Sequence, residues 1–142
     1  MPLLSAMTQA IPKIQMHMTA SPYSIGRDQP LSRAHALMRE HQIRHLPVLE
    51  GGELVGVVTD RDLRLIESLR DVDAAQVSVQ EAMASEVYAV KPDALLDEVV
   101  ETMAKYKYGC AVVIHNYQVV GIFTTVDACR VLAELLRGRL TH

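Results

Sequence analysis

Apolar residues along this chain fall into two helical stripes and four strand-like runs. Leu31, Ala34, Leu37 and Met38 share one helical face, as do Leu95, Leu96, Val99, Val100 and Met103. That three-and-four spacing marks an amphipathic helix. Ser32 and Asp97 stand at the predicted helix starts. Pro30 and Pro92 lie just before them, where proline is tolerated. Each helix is preceded by a short extended piece, Tyr23-Ser24-Ile25 or Tyr88-Ala89-Val90, and followed by a predicted hairpin. In the first hairpin, Leu46-Pro47-Val48-Leu49 and Leu54-Val55-Gly56-Val57-Val58 flank Gly51-Gly52, a strong turn signal because both residues accept positive φ. In the second, Ala111-Val112-Val113-Ile114 and Val119-Val120-Gly121-Ile122-Phe123 flank Asn116-Tyr117, where Asn supplies the turn more weakly and Tyr does not favour it. The nearly continuous β-branched runs predict buried strands. Second helices begin near Asp60 and Thr125.

The unit is thus β-α-β-β-α, written twice, and the fold class is α/β (α+β). Met18, Tyr23, Asp28, Leu31, Met38, Val48, Val55, Gly56, Thr59 and Asp62 recur 65 residues later as Met83, Tyr88, Asp93, Leu96, Met103, Val113, Val120, Gly121, Thr124 and Asp127. The constant offset needs no gap. Repeat units of this size usually bury their open faces against each other, so two repeats packed with pseudo-twofold symmetry and a cleft between them are expected, a common setting for small molecules. The chain divides into an N-terminal arm (1–17), a first repeat (18–69), a connector (70–82) and a second repeat (83–142). Leu3, Leu4, Met7, Ile11 and Ile14 give the arm a loose helical spacing.

With 142 residues, 49% hydrophobic and 22% charged, the chain is globular. Each half alone buries too little surface, so the halves are expected to share a core. A net charge of −3 argues against a nucleic-acid surface. No apolar run approaches the roughly 18 residues of a membrane span, and residues 1–15 lack the basic and apolar regions of a signal peptide. A cytoplasmic location, with Cys110 and Cys129 both buried and reduced, is the expectation.

Thr59 and Asp62 stand at a strand end and the first turn of a helix. A carboxylate there suits two vicinal ribose hydroxyls, and a helix N-terminus suits a phosphate. The plainer alternative is that both residues only cap the helix. His41 and His45 are four apart, a metal-ligand spacing on a helix. Pro47 and the strand signal end the helix before His45, so no metal site is expected. No G-x-x-x-x-G-K-[ST] loop and no metal-carboxylate cluster is present, which disfavours a nucleotide hydrolase.

Ile43-Arg44-His45-Leu46-Pro47-Val48, followed by Leu54-Val55-Gly56-Val57-Val58-Thr59-Asp60-Arg61-Asp62-Leu63, resembles a cystathionine β-synthase (CBS) domain. Gly121-Ile122-Phe123-Thr124-Thr125-Val126-Asp127 resembles its tandem partner, and the pair resembles a Bateman module across residues 16–137. The resemblance implies a non-catalytic regulatory sensor that binds an adenosine-containing small molecule (AMP, ADP, ATP or S-adenosylmethionine), forms a homodimer and signals to a protein partner not identifiable from sequence. No cofactor is required, and neither nucleic acid nor membrane is a partner. The alternative is a constitutive structural dimerisation or protein-interaction module with empty sites.

By the same resemblance, Ser24 and Ile25 match a segment whose backbone reads the adenine edge, and Arg44 and His45 a position that reaches phosphates. Thr59 and Asp62 match the ribose position, beside which Arg61 offers further charge. In the second copy the ligand-binding set is Ala89, Val90, Thr124 and Asp127. There Gly109-Cys110 replaces Arg44-His45 and Val126 replaces Arg61, so a strongly phosphorylated ligand is less suited to it. Lys107 is close enough in sequence to compensate.

Overall fold

The structure, a computed structural model, describes residues 11–69 and 71–140. The arm residues Leu3, Leu4 and Met7 lie outside that range. Seven strands and four α-helices follow in order: β1 (Thr19–Ala20), β2 (Ile25–Gly26), α1 (Leu31–His41), β3 (His45–Glu50), β4 (Glu53–Thr59), α2 (Asp60–Glu67), β5 (Ala89–Val90), α3 (Leu96–Tyr106), β6 (Cys110–His115), β7 (Gln118–Thr124) and α4 (Thr125–Leu140). The β-α-β-β-α order therefore appears twice, with the extended pieces shorter than their sequence suggests.

The chain separates into two compact units. One comprises Ser21–Val87 with the hairpin residues Asn116–Val119; the other holds the remaining described residues. In the first unit the sheet order is β2-β3-β4. Strand β2 runs parallel to β3 (Ile25 opposite Val48), and β3 runs antiparallel to β4 (His45 opposite Thr59). The second sheet has the order β1-β7-β6-β5, with β5 parallel to β6 (Ala89 opposite Val112).

Each unit has its own core, built from the same register. Leu31, Ala34, Met38, Leu46, Val48 and Val58 are buried in the first. Their counterparts 65 residues on, Leu96, Val99, Met103, Ala111, Val113 and Phe123, are buried in the second. The exchange of Leu46 and Val58 for Ala111 and Phe123 trades a large residue between facing strands, the volume-conserving change that close-packed cores tolerate. Leu46, Pro47 and Val48 are buried consecutively, as the apolar runs predict for a strand covered on both faces. Leu95 falls outside its helix as the N-cap residue and is exposed.

Two short 3₁₀ turns, Ile14–Met16 and Val79–Glu81, complete the cores. Val79 is fully buried in the unit of β2-β3-β4, and Ile14 in that of β5-β6-β7. Each turn is followed by a segment that lies along a hairpin strand: Ala84 bridges Val57, and β1 pairs with β7 (Ala20 opposite Gly121). The crossing segment comes very close. A Cβ on Gly56 would sit 2.7 Å from the Ala84 carbonyl oxygen, and one on Gly121 would strike Met18. This close approach accounts for glycine at both repeat positions.

Both hairpin turns use left-handed backbone: Gly51 and Gly52 at φ 57° and 86°, Asn116 and Tyr117 at φ 51° and 64°. The second turn has the geometry of the first although Tyr117 disfavours it.

Cys129 corrects the expectation of two buried thiols. Cys110 is buried in β6, but Cys129 lies on the solvent side of α4 and is exposed.

Candidate functional site

Strand register gathers one group of candidate residues in the first unit. His45 opens β3 directly opposite Thr59, the last residue of β4, and the Asp60 N–H donates to the Arg44 carbonyl at 3.0 Å. The chain turns from β4 into α2 at this point, so the helix start is built at the strand end. Thr59 caps α2 reciprocally: its Oγ1 accepts from the Asp62 N–H at 3.1 Å, and Asp62 Oδ2 accepts from the Thr59 N–H at 3.0 Å. This capping box satisfies two backbone donors that a helix start leaves open. Asp62 Oδ1 accepts no hydrogen bond among the described residues. The carboxylate is half-buried, and one of its oxygens is available to a hydroxyl donor.

His45 is held below the ordinary imidazole value, chiefly by burial. The Asp62 carboxylate opposes that shift, and the Arg44 guanidinium reinforces it. The imidazole is therefore neutral at pH 7, and it offers a ligand one N–H donor.

The parallel register sets Ile25 opposite Val48, three residues along β3 from His45, so Ser24 and Ile25 lie further along the sheet than the His45–Thr59 pair. Ser24 is exposed. The Ile25 side chain is buried in the core, so only its backbone can meet a ligand. The two residues line a groove of about 490 Å³ with Tyr23, Gln29, Arg33 and His41. Arg44 lines a separate groove of about 470 Å³, and neither groove is lined by Thr59 or Asp62. Arg61 is exposed on the first turn of α2 and lines neither. His41 closes α1 and stacks on Tyr23 with ring centroids 3.6 Å apart, an aromatic use for a histidine that the sequence paired with His45.

In the second unit the same turn is more heavily committed. Asp127 Oδ2 accepts from the Thr124 N–H at 2.9 Å and from its hydroxyl at 3.2 Å, and Oδ1 accepts from Arg130 Nη1 at 2.8 Å. Asp127 is 5% exposed, the buried charged residue of the described chain. Ala89 is exposed at the start of β5, while Val90 packs against the core. The thiol of Cys110, which stands where His45 does in the first repeat, is pushed up to about 11 by burial, so it stays protonated and neutral.

Three features escape the sequence reading. Arg130 binds Asp127, a pairing that the i, i+3 spacing on a helix signals. Tyr88, Tyr108 and Tyr106 form a stack, with ring centroids 5.2 and 5.5 Å apart. Arg39 and Arg64 join Arg44 in one groove. Among the described residues no group of three or more His, Cys, Asp or Glu is placed to hold a metal ion, and no helix is long and apolar enough to cross a membrane.

Comparison with known proteins agrees with this architecture. The model of the CBS domain matches twice, over residues 13–67 and 79–134. Hypoxic response protein 1 of Mycobacterium tuberculosis is 30% identical over 118 residues, 82% of each chain. A crystal structure from Vibrio cholerae, provisionally described as an acetoin utilization protein (AcuB), superposes with a TM-score of 0.81 at 31% identity, covering 93% of this chain and 98% of that one. The CBS domain pair of protein MJ0100, solved with 5′-methylthioadenosine and S-adenosyl-L-methionine, superposes with a TM-score of 0.77 at 25% identity, covering 87% and 98%.

Proposed function

Since the chain belongs to the CBS-domain family and carries that domain twice, we propose that it is a non-catalytic regulatory module that senses an adenosine-containing ligand. The observation that carries this reading is the half-committed carboxylate of Asp62. One oxygen caps α2, the other accepts no hydrogen bond among the described residues, and the carboxylate acts on His45, which opens the strand opposite Thr59. A carboxylate so held is preorganised to accept a ribose hydroxyl, and the Arg44 guanidinium suits a phosphate. The adenosine-type ligands in the MJ0100 domain pair support the same chemical class. Ser24 and the Ile25 backbone would meet the base, with Thr59 and Asp62 on the ribose and Arg44, His45 and Arg61 on the phosphate side. In the second unit Ala89, Val90, Thr124 and Asp127 would form a poorer counterpart, because Asp127 is already satisfied by Thr124 and Arg130.

A thermal-shift series with adenosine, AMP, ADP, ATP and S-adenosylmethionine, with and without Mg²⁺, tests this. At least one should raise Tm by several degrees, since a ligand at 100 times its Kd contributes about 2.7 kcal/mol. If none does at millimolar concentration, the sensor reading fails. Product analysis after incubation with ATP should show no turnover.

A second reading, a constitutive dimerisation module, draws on α4. Leu132, Leu135 and Leu136 are 53%, 56% and 47% exposed on that helix. A homodimer buries such side chains under either reading. Insensitivity to every adenine ligand combined with a stable dimer by light scattering would favour the second.

A further inference from the structure

We propose that the groove between α1 and α2 in the first unit is an anion site that takes a phosphate or pyrophosphate group. The groove has a volume of about 470 Å³, and Arg39, Arg44 and Arg64 all line it. Asp60 is the one carboxylate on its wall, so the lining carries a local charge of +2 in a chain whose net charge is −3. Arg64 is paired with Asp60 at 3.1 Å. Among the described residues neither Arg39 nor Arg44 has a carboxylate within ion-pair distance. Concave walls concentrate such a field, and guanidinium groups bind phosphate oxygens in a two-pronged fashion.

The C-terminal end of α1 explains one cation near it, because the helix dipole favours positive charge there. It does not explain three. The repeat makes the comparison internal. Sixty-five residues on, Arg39, Arg44 and Arg64 are replaced by Ala104, Gly109 and Cys129, all uncharged. The same helix pair folds in the second unit without any of the three arginines, so the fold itself does not require them. Arg44 is shared with the proposed nucleotide site; Arg39 and Arg64 are not.

The phosphate group has two sources, a free inorganic anion or the polyphosphate tail of a nucleotide. Calorimetry at low ionic strength with inorganic pyrophosphate, AMP and ATP separates them. Pyrophosphate should bind the wild-type protein, and raising the salt concentration should weaken it. In the double variant Arg39→Gln/Arg64→Gln its affinity should fall about tenfold or more, the loss expected for bonds between charged groups. An unchanged melting temperature without ligand would show that the variant is folded, as expected for exposed side chains. Asp62→Ala should leave pyrophosphate binding intact while weakening AMP, which keeps this site distinguishable from the nucleotide reading. Competition by ATP, whether or not AMP also competes through the shared Arg44, assigns the group to a nucleotide tail; competition by neither assigns it to a free anion. Absence of pyrophosphate binding, or equal affinity in wild type and double variant, overturns the proposal.

Discussion

Arg130 donates from Nη1 to Asp127 Oδ1 at 2.8 Å, and the residue at the corresponding place in the first repeat is Leu65. That one difference leaves Asp62 with a free oxygen and Asp127 without one. The two aspartates should therefore answer alanine substitution differently. Asp127→Ala removes the partner of Arg130 and breaks a buried cap, and should cost about 1–3 kcal/mol of stability. Asp62→Ala should cost about 1 kcal/mol as a lost cap but weaken an adenosine ligand roughly 10- to 150-fold. Urea unfolding and calorimetry on both variants check this. Equal and negligible effects on binding would remove Asp62 from the site.

Gly56 should not tolerate a methyl group. Its Cβ would lie 2.7 Å from both the Ala84 carbonyl oxygen and Met83 Sδ, while Val57 and Ala84 exchange backbone hydrogen bonds of 3.0 and 2.9 Å beside it. The methionine can swing away, but the bridged backbone cannot do so without losing those bonds. Gly56→Ala should destabilise by about 1–3 kcal/mol, as overpacking does. A urea midpoint unchanged from wild type would show that the crossing segment is not held there.

How far the sequence reveals these features depends on whether the signal is periodic. The helices, hairpins and repeat register follow from spacing and from ten identities at one offset, and the family from the motifs around Pro47, Gly56 and Asp62. The crossing turns do not follow, because Ile14 and Val79 differ in type and stand in segments that read as an arm and a connector outside the repeated elements. The exposure of Cys129 does not follow either, because apolar spacing on α4 does not tell a buried stripe from an exposed one. The basic groove needed three dimensions: Arg39 and Arg64 come from different helices, with Arg44 on the turn that precedes β3.

The two cysteines should differ sharply in reactivity. Burial pushes the Cys110 thiol up to about 11, so little thiolate exists at pH 8. Cys129 is exposed on α4. Since the thiolate is the reactive form, Ellman's reagent at pH 8 should label one thiol per chain in seconds to minutes and the second only on unfolding. Cys129→Ser should abolish the fast phase. Two equally fast thiols would contradict the burial of Cys110.

His45 provides a pH signature for both the free and the bound protein. Burial holds its pKa below 6.5 in the fold, so the unfolded chain binds the proton more readily. Its contribution to stability is present above about pH 6.5 and is lost as pH falls through the lowered folded value. His45→Gln should therefore flatten that part of the stability profile. A phosphate contact works in the opposite direction, because it favours the imidazolium and raises the pKa in the complex. Affinity for a phosphorylated ligand should then increase as pH falls below the bound-state pKa, and level off once the free imidazole is also protonated. Adenosine has no phosphate, so its affinity should show no such rise. Calorimetry with AMP and adenosine at several pH values, in wild type and His45→Gln, separates these effects. An AMP slope that persists unchanged in the variant places the phosphate away from His45.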